Sequence, residues 1–204
     1  MDGVISDTQW IHANVESDLL KTFGIDFPPE ELTEKYAGVK STEIFKELLK
    51  GKDYDLNLIM RKKWEEMAKL SLEAKEIPGA INFIRKVYEK KLPLAVASAS
   101  NIGYVKAILN QLKIKEYFRA IISGDMVQNG KPDPEIFLLA ASKIEVNPKD
   151  CLVIEDARSG MQAAKAGGMF CIGLVKDKRK SYPTKNLVIS LNEITDEYLE
   201  RLRK

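Results

Sequence analysis

Three stretches of this sequence place polar side chains just where an apolar run ends. Ser98-Ala99-Ser100-Asn101 follows residues 92–97. Gly130-Lys131-Pro132-Asp133-Pro134 closes the loop after residues 120–122. Glu155-Asp156 follows residues 151–154. Small residues and hydroxyls at a strand-to-helix junction let a backbone approach an anion closely, and the helix N-terminus attracts it. A lysine between Gly and Pro stands on a stiff turn and can aim a fixed positive charge. Two successive carboxylates at a strand end are hard oxygen ligands of the kind Mg²⁺ takes while keeping its other positions for water and phosphate. Each pattern alone also has a structural reading: an N-cap, a surface lysine, an acidic first helical turn. Together they describe Mg²⁺-assisted phosphoryl transfer.

These residues need a scaffold that brings strand ends together. From about residue 77 onward, short apolar runs alternate with helical patterns: runs at 92–97, 120–122, 151–154, 169–175 and 187–189, separated by helices. Continuous apolar runs between helices predict a parallel sheet covered on both faces, a doubly wound α/β fold, whose ligands bind beyond the carboxyl ends of the strands. Residues 9–77 differ. Trp10, Ile11, Val15, Leu19 and Phe23 recur at helical spacing before Gly24, and Pro28-Pro29 breaks the chain. A further helix begins at Ser41, read as its N-cap, and another covers about residues 55–74 with Leu58, Ile59, Trp64 and Met67 on one side. The reading is a core of residues 1–8 and 78–204 with a small helical domain, residues 9–77, inserted in it.

Composition removes several function classes. Lysine and arginine total 32 against 30 acids, which gives no electrostatic case for nucleic acid or an anionic membrane. The single histidine, His12, excludes two-histidine zinc sites, and two cysteines, Cys151 and Cys171, are too few for a disulfide framework. The longest clean apolar run, residues 136–141, is far below the roughly 20 residues of a membrane helix, and the start MDGVISD has no signal-peptide pattern. The expectation is a cytoplasmic protein, monomeric or weakly dimeric, whose partner is a small phosphorylated metabolite.

The sequence resembles the haloacid dehalogenase superfamily in four segments that come in the family's order. They are Asp2-Gly3-Val4-Ile5-Ser6-Asp7-Thr8, Val96-Ala97-Ser98-Ala99-Ser100-Asn101, Gly130-Lys131-Pro132-Asp133-Pro134-Glu135-Ile136-Phe137, and residues 154–167 from Ile154-Glu155-Asp156 to Ala166-Gly167. Residues 9–77 resemble the four-helix cap of its β-phosphoglucomutase and phosphoglycolate phosphatase branch. The resemblance implies that Asp2 is the general acid/base, its carbonyl also a Mg²⁺ ligand. It implies that Ser98 and Lys131 bind the transferring phosphoryl group, with Ala99 and Asn101 beside Ser98 at the substrate. Asp156 would ligate Mg²⁺, with Glu155 beside it or through water. His12 aligns with a cap-hinge histidine that touches a sugar substrate.

Two departures accompany these matches. The family's nucleophilic Asp stands two residues before the general acid/base, a position ahead of Met1, as is the central strand that carries it. Neither Asp2, followed at +2 by Val4, nor Asp7, followed by Gln9, fits that role. The chain as given is therefore expected to be impaired, with the strands at 92–97 and 151–154 left with facing edges unpaired. In addition, Ser41 stands where β-phosphoglucomutases carry an Arg that holds the nonreacting phosphate, with Lys40 next to it as a partial substitute. This favours a Mg²⁺-dependent phosphomonoester hydrolase working through an aspartyl-phosphate. The alternatives are a hexose-phosphate mutase and a non-catalytic phosphometabolite-binding protein. Dehalogenase chemistry needs no metal and fits the Glu155-Asp156 pair less well.

Overall fold

The structure is a computed structural model and describes residues 1–202. Four helices come first: α1 (Gln9–Lys21), α2 (Pro29–Tyr36), α3 (Ser41–Leu48) and α4 (Leu56–Leu70). They enclose a cluster built on Leu20, Leu32, Phe45, Leu49 and Ile59. The phase of α1 differs slightly from the spacing reading: Ile11 and Val15 are buried while Trp10 is 45% exposed. Asp55 caps α4, accepting from the N–H groups of Asn57 and Leu58, and the helix ends at Leu70 in a short 3₁₀ turn. Ser41 does not cap α3. Its hydroxyl turns inward and donates to Glu16 Oε1 at 2.6 Å, so the helix starts on Lys40 instead.

The remainder alternates as expected: α5 (Ala80–Glu89), β1 (Ala95–Ser98), α6 (Ile102–Gln111), β2 (Ala120–Ser123), α7 (Glu135–Ile144), β3 (Leu152–Glu155), α8 (Arg158–Ala166), β4 (Phe170–Leu174), β5 (Leu187–Val188) and α9 (Asp196–Leu202). β1 starts three residues later than the apolar run, because Pro93 has no N–H for a ladder. All strand pairings are parallel. Helices cover both faces: Ile84, Val105, Ile108 and Leu109 of α5 and α6 pack with Val96, while Ile136, Phe137, Met161, Ala163 and Ala164 of α7 and α8 pack with Ile122 and Val153. Ala163 and Ala164 are fully buried, and their small size lets α8 lie close on the strands. Both cysteines are free thiols: Cys171 is buried, Cys151 only partly so. Among the described residues no helix is long and apolar enough to cross a membrane.

The strands form two sheets, β1–β2 and β3–β4–β5. Among the described residues β1 and β3 share no ladder. Met1, Val4 and Ile5 join the cluster that contains Val96 of β1 and touches Ile154 of β3, and a tight turn carries them, with the Val4, Ile5 and Ser6 N–H groups all directed at the Met1 carbonyl. Each of β1 and β3 therefore has one side without a strand partner, which leaves ladder donors and acceptors unmatched. Fusing an apolar strand of about six to eight residues ahead of Met1, ending in Asp, should raise the melting temperature by several degrees. An unchanged midpoint in calorimetric melting would show that these two edges have no use for a strand.

Candidate functional site

The site lies where β1 and β3 end and where the first six residues turn between them. Asp2 is its centre. Its Oδ1 accepts from Thr8 Oγ1 at 2.6 Å, and its Oδ2 accepts from the hydroxyls of Ser98 at 3.0 Å and Ser100 at 3.3 Å. His12 Nε2 stands 3.4 Å from Oδ1. Burial works to raise the Asp2 pKa, but the hydrogen bond and charge of His12 and the Thr8 hydroxyl outweigh it and hold the carboxyl far below the usual range. Asp2 is ionised in the free site.

The loop before α7 delivers Lys131, which is 3% exposed rather than on the surface. Its Nζ donates to Glu155 Oε2 at 2.7 Å and lies 4.7 Å from the centre of the Phe137 ring. Glu155 Oε1 accepts from the backbone N–H groups of Asp156 and Ala157, which fixes the start of α8. Burial opposes ionisation of Glu155, yet the Lys131 charge lowers its pKa from 4.5 to about 2. Asp156 has the opposite fate. Burial and the adjacent Glu155 charge push its carboxyl well above the ordinary 3.8. Gln9 Nε2 donates to Asp156 Oδ2, and Gly3, at φ +73°, lies so close that a Cβ there would collide with that carboxylate.

This donor set fits a hard cation. Lys131 pairs with Glu155, and among the described residues no cation forms an ion pair with the partly buried Asp156 beside it. Among the described residues no three His, Cys, Asp or Glu side chains form a ready metal cage. Mg²⁺ takes one or two protein carboxylates and keeps water elsewhere; Asp156, its carboxylate bonded to Gln9 alone among the described residues, could serve as such a ligand, whereas Glu155 is engaged with Lys131 and two N–H groups.

A cavity with about 650 Å³ of empty space, part of it open solvent, joins these groups to the first four helices. Of the residues singled out from sequence, Asp2, His12, Ser98, Ala99, Lys131, Glu155 and Asp156 line it. Two do not. Asn101 caps α6, its Oδ1 accepting from the Tyr104 N–H at 2.7 Å. Lys40 Nζ donates to the carbonyls of Val127 at 3.1 Å and Gln128 at 3.4 Å, tying α3 to the loop before α7. The α6 N-terminus is also less available to an anion than its sequence suggests, since the Asp125 carboxylate accepts from the Ile102 N–H at 2.8 Å. Sequence reasoning assigned no role to Thr8 and Ser100, which lie inside recognised segments, to Gln9, which follows the first of them, or to Glu16, which nothing local marks and which reads as an ordinary helical acid.

A family model described as haloacid dehalogenase-like hydrolase matches residues 1–174. The chain is 34% identical over 172 residues to a phosphorylated carbohydrates phosphatase of Thermotoga maritima, covering 83% of this chain and 79% of that protein. It is 32% identical over 171 residues to the fructose-1-phosphate phosphatase YqaB of Escherichia coli, covering 83% and 90%. The crystal structure of a β-phosphoglucomutase from Clostridium difficile superposes with a TM-score of 0.86 at 27% identity, covering 98% of this chain and 92% of that one.

Two outcomes test the charge arrangement. Because folding lowers the Glu155 pKa, its contribution to stability is complete above pH about 4.5 and is lost as pH falls toward 2. Lys131→Ala should remove that contribution and flatten melting temperature against pH over this interval. Asp156→Asn should abolish the stabilisation that millimolar Mg²⁺ gives the unmodified chain at pH 7, read by calorimetry, while leaving the metal-free melting temperature equal or higher. An undiminished Mg²⁺ response would remove Asp156 from the ligand set.

Proposed function

This chain belongs to the haloacid dehalogenase-like hydrolases, and we propose that it is a Mg²⁺-dependent phosphomonoester hydrolase acting on a small phosphorylated metabolite of sugar-phosphate or phosphoglycolate type. The observation that carries the reading is the single cavity uniting Asp2, Ser98, Lys131 and Asp156. Residues 9–77 serve as the cap over a core formed by residues 1–8 and 78–204, and the setting we assign is cytoplasmic.

In this scheme the Ser98 hydroxyl donates to a phosphoryl oxygen and Lys131 supplies fixed charge against it. Asp156 and the Asp2 carbonyl would hold Mg²⁺, which would supply positive charge against the transferring group. A phosphate placed against Asp2 raises that carboxyl's pKa. Asp2 can then hand a proton to the leaving oxygen, and ionised again it takes one from the attacking water. The acceptor of the phosphoryl group is an Asp two positions ahead of Asp2, so the scheme turns over in a chain that carries that residue. The names of the two phosphatases above support this reading. A mutase is the alternative, supported by the likeness to β-phosphoglucomutase and by Bacillus subtilis β-phosphoglucomutase, 30% identical over 185 residues. Ser41 in place of a phosphate-holding cation favours the hydrolase. A chain without the acceptor Asp would be left as a binder of phosphorylated metabolites.

In a chain extended by a strand ending in Asp, Lys131→Ala should slow hydrolysis of an aryl phosphate by about 10²–10³-fold. It also strands Glu155 in the interior, so the assay belongs well below the variant's melting temperature. A rate within threefold of the unmodified enzyme would sink Lys131's role, and equal activity with and without the extension would sink the assignment of Asp2.

A further inference from the structure

The cap side of the cavity carries a charge arrangement that the phosphoryl chemistry does not use. Lys63, on α4, has no exposed surface, and its Nζ donates to Glu16 Oε1 at 2.6 Å and to Ser41 Oγ. Ser41 Oγ donates to the same Oε1. The ammonium also lies 4.8 Å from the centre of the Trp64 ring. Glu16 and Ser41 line the cavity, and Lys63 does not. Both hydrogen bonds on Glu16 fall on Oε1, and among the described residues none is made to Oε2. Burial opposes ionisation of Glu16, but Lys63, then His12, hold its carboxyl below the ordinary range.

Among the described residues Lys131 is the one Lys or Arg that lines this cavity, and it stands on the core side beside Glu155. The cap wall around Glu16 and Ser41 is completed by apolar Leu32, Val39 and Ile44. A ligand's far end therefore meets a carboxylate backed by an ammonium it cannot touch. A hydroxyl there gains a charge-assisted hydrogen bond. A second phosphate or a carboxylate has no hydrogen to give Glu16 and meets its carboxylate first, because the Lys63 ammonium that offsets part of that charge lies behind it, His12 is engaged with Asp2 and Ser100, and Lys131 with Glu155.

We infer that Glu16, held by Lys63 and Ser41, selects substrates whose nonreacting end is a neutral polyol and rejects those bearing a second anion. This inference rests on the reading of the cavity as a phosphate-ester site, and it narrows that reading to sugar monophosphates over phosphoglycolate and sugar bisphosphates. It also disfavours the mutase alternative, because a bisphosphate intermediate would have to place a phosphate against Glu16.

Calorimetry with Mg²⁺ on the 204-residue chain tests the idea by binding alone, with no turnover required. The probes are inorganic phosphate, glucose 6-phosphate, fructose 1-phosphate, ribose 5-phosphate, 2-phosphoglycolate, glucose 1,6-bisphosphate and fructose 1,6-bisphosphate. At least one sugar monophosphate should bind about tenfold or more tighter than every probe that carries a second anionic group. Glu16→Gln should bring that ratio near one. The double variant Glu16→Gln/Lys63→Met, which removes both charges together and so avoids an isolated buried ammonium, should do the same. Probes with a second phosphate or a carboxylate binding as well as the sugar monophosphates, or a ratio unchanged in both variants, would overturn the inference while inorganic phosphate binding leaves the phosphoryl site intact. Failure of inorganic phosphate and all the esters to bind would overturn both.

Discussion

The arrangement at the centre of this protein depends on how a buried carboxylate is kept charged. Glu155 ends β3 almost out of contact with water, and an isolated carboxylate there would cost several kcal/mol. Lys131, 24 residues earlier in the chain, offsets that cost with a 2.7 Å contact. The pair fixes more than itself. Glu155 Oε1 receives the first N–H groups of the turn into α8, and Gly160 is required one helical turn later because a Cβ would run into the Glu155 carboxylate. Asp156 is thereby pinned beside Gly3 and Gln9, one residue along the chain from Asp2.

The same electrostatic economy appears in the helices above. Only a few polar contacts near the cavity join α2, α3 and the turn between them to the core: Ser159 Oγ to the Ala37 carbonyl at 2.7 Å, Lys40 to the loop before α7, and the Gly130 N–H to Glu43 Oε1 at 3.0 Å. Lys40 and Lys63 are both engaged with protein acceptors, so among the described residues the lysine lining the cavity is Lys131 on the core side, while Glu16 stands on the cap side.

Much of this was readable along the chain, because the features are local. Apolar runs of three to seven residues between amphipathic helices announced the parallel strands, since a strand covered on both faces needs apolar residues at successive positions. Strand ends announced the site, since side chains there leave the core at the same edge of the sheet. The motifs around Asp2, Ser98, Lys131 and Asp156 could be recognised for the same reason: each is a turn whose glycines, prolines and small residues are dictated by backbone geometry within a few residues.

Long-range pairing was not readable. Ser41 and Asn101 both looked like N-caps, yet Asn101 caps and Ser41 turns to Glu16, a choice made by an acid 25 residues away. Lys40 and Lys131 were both plausible anion contacts, and folding buries Lys131 beside Glu155 while it draws Lys40 to the carbonyls of another loop. Glu16 and Lys63 sit on different helices with nothing nearby in sequence to mark either as buried. Helix and strand periods, capping and turn chemistry follow from neighbours within a turn or two, so the residue order is enough to set them. Whether a given charge meets its partner, its solvent or a ligand depends on which elements are packed together, and that is settled when the core closes.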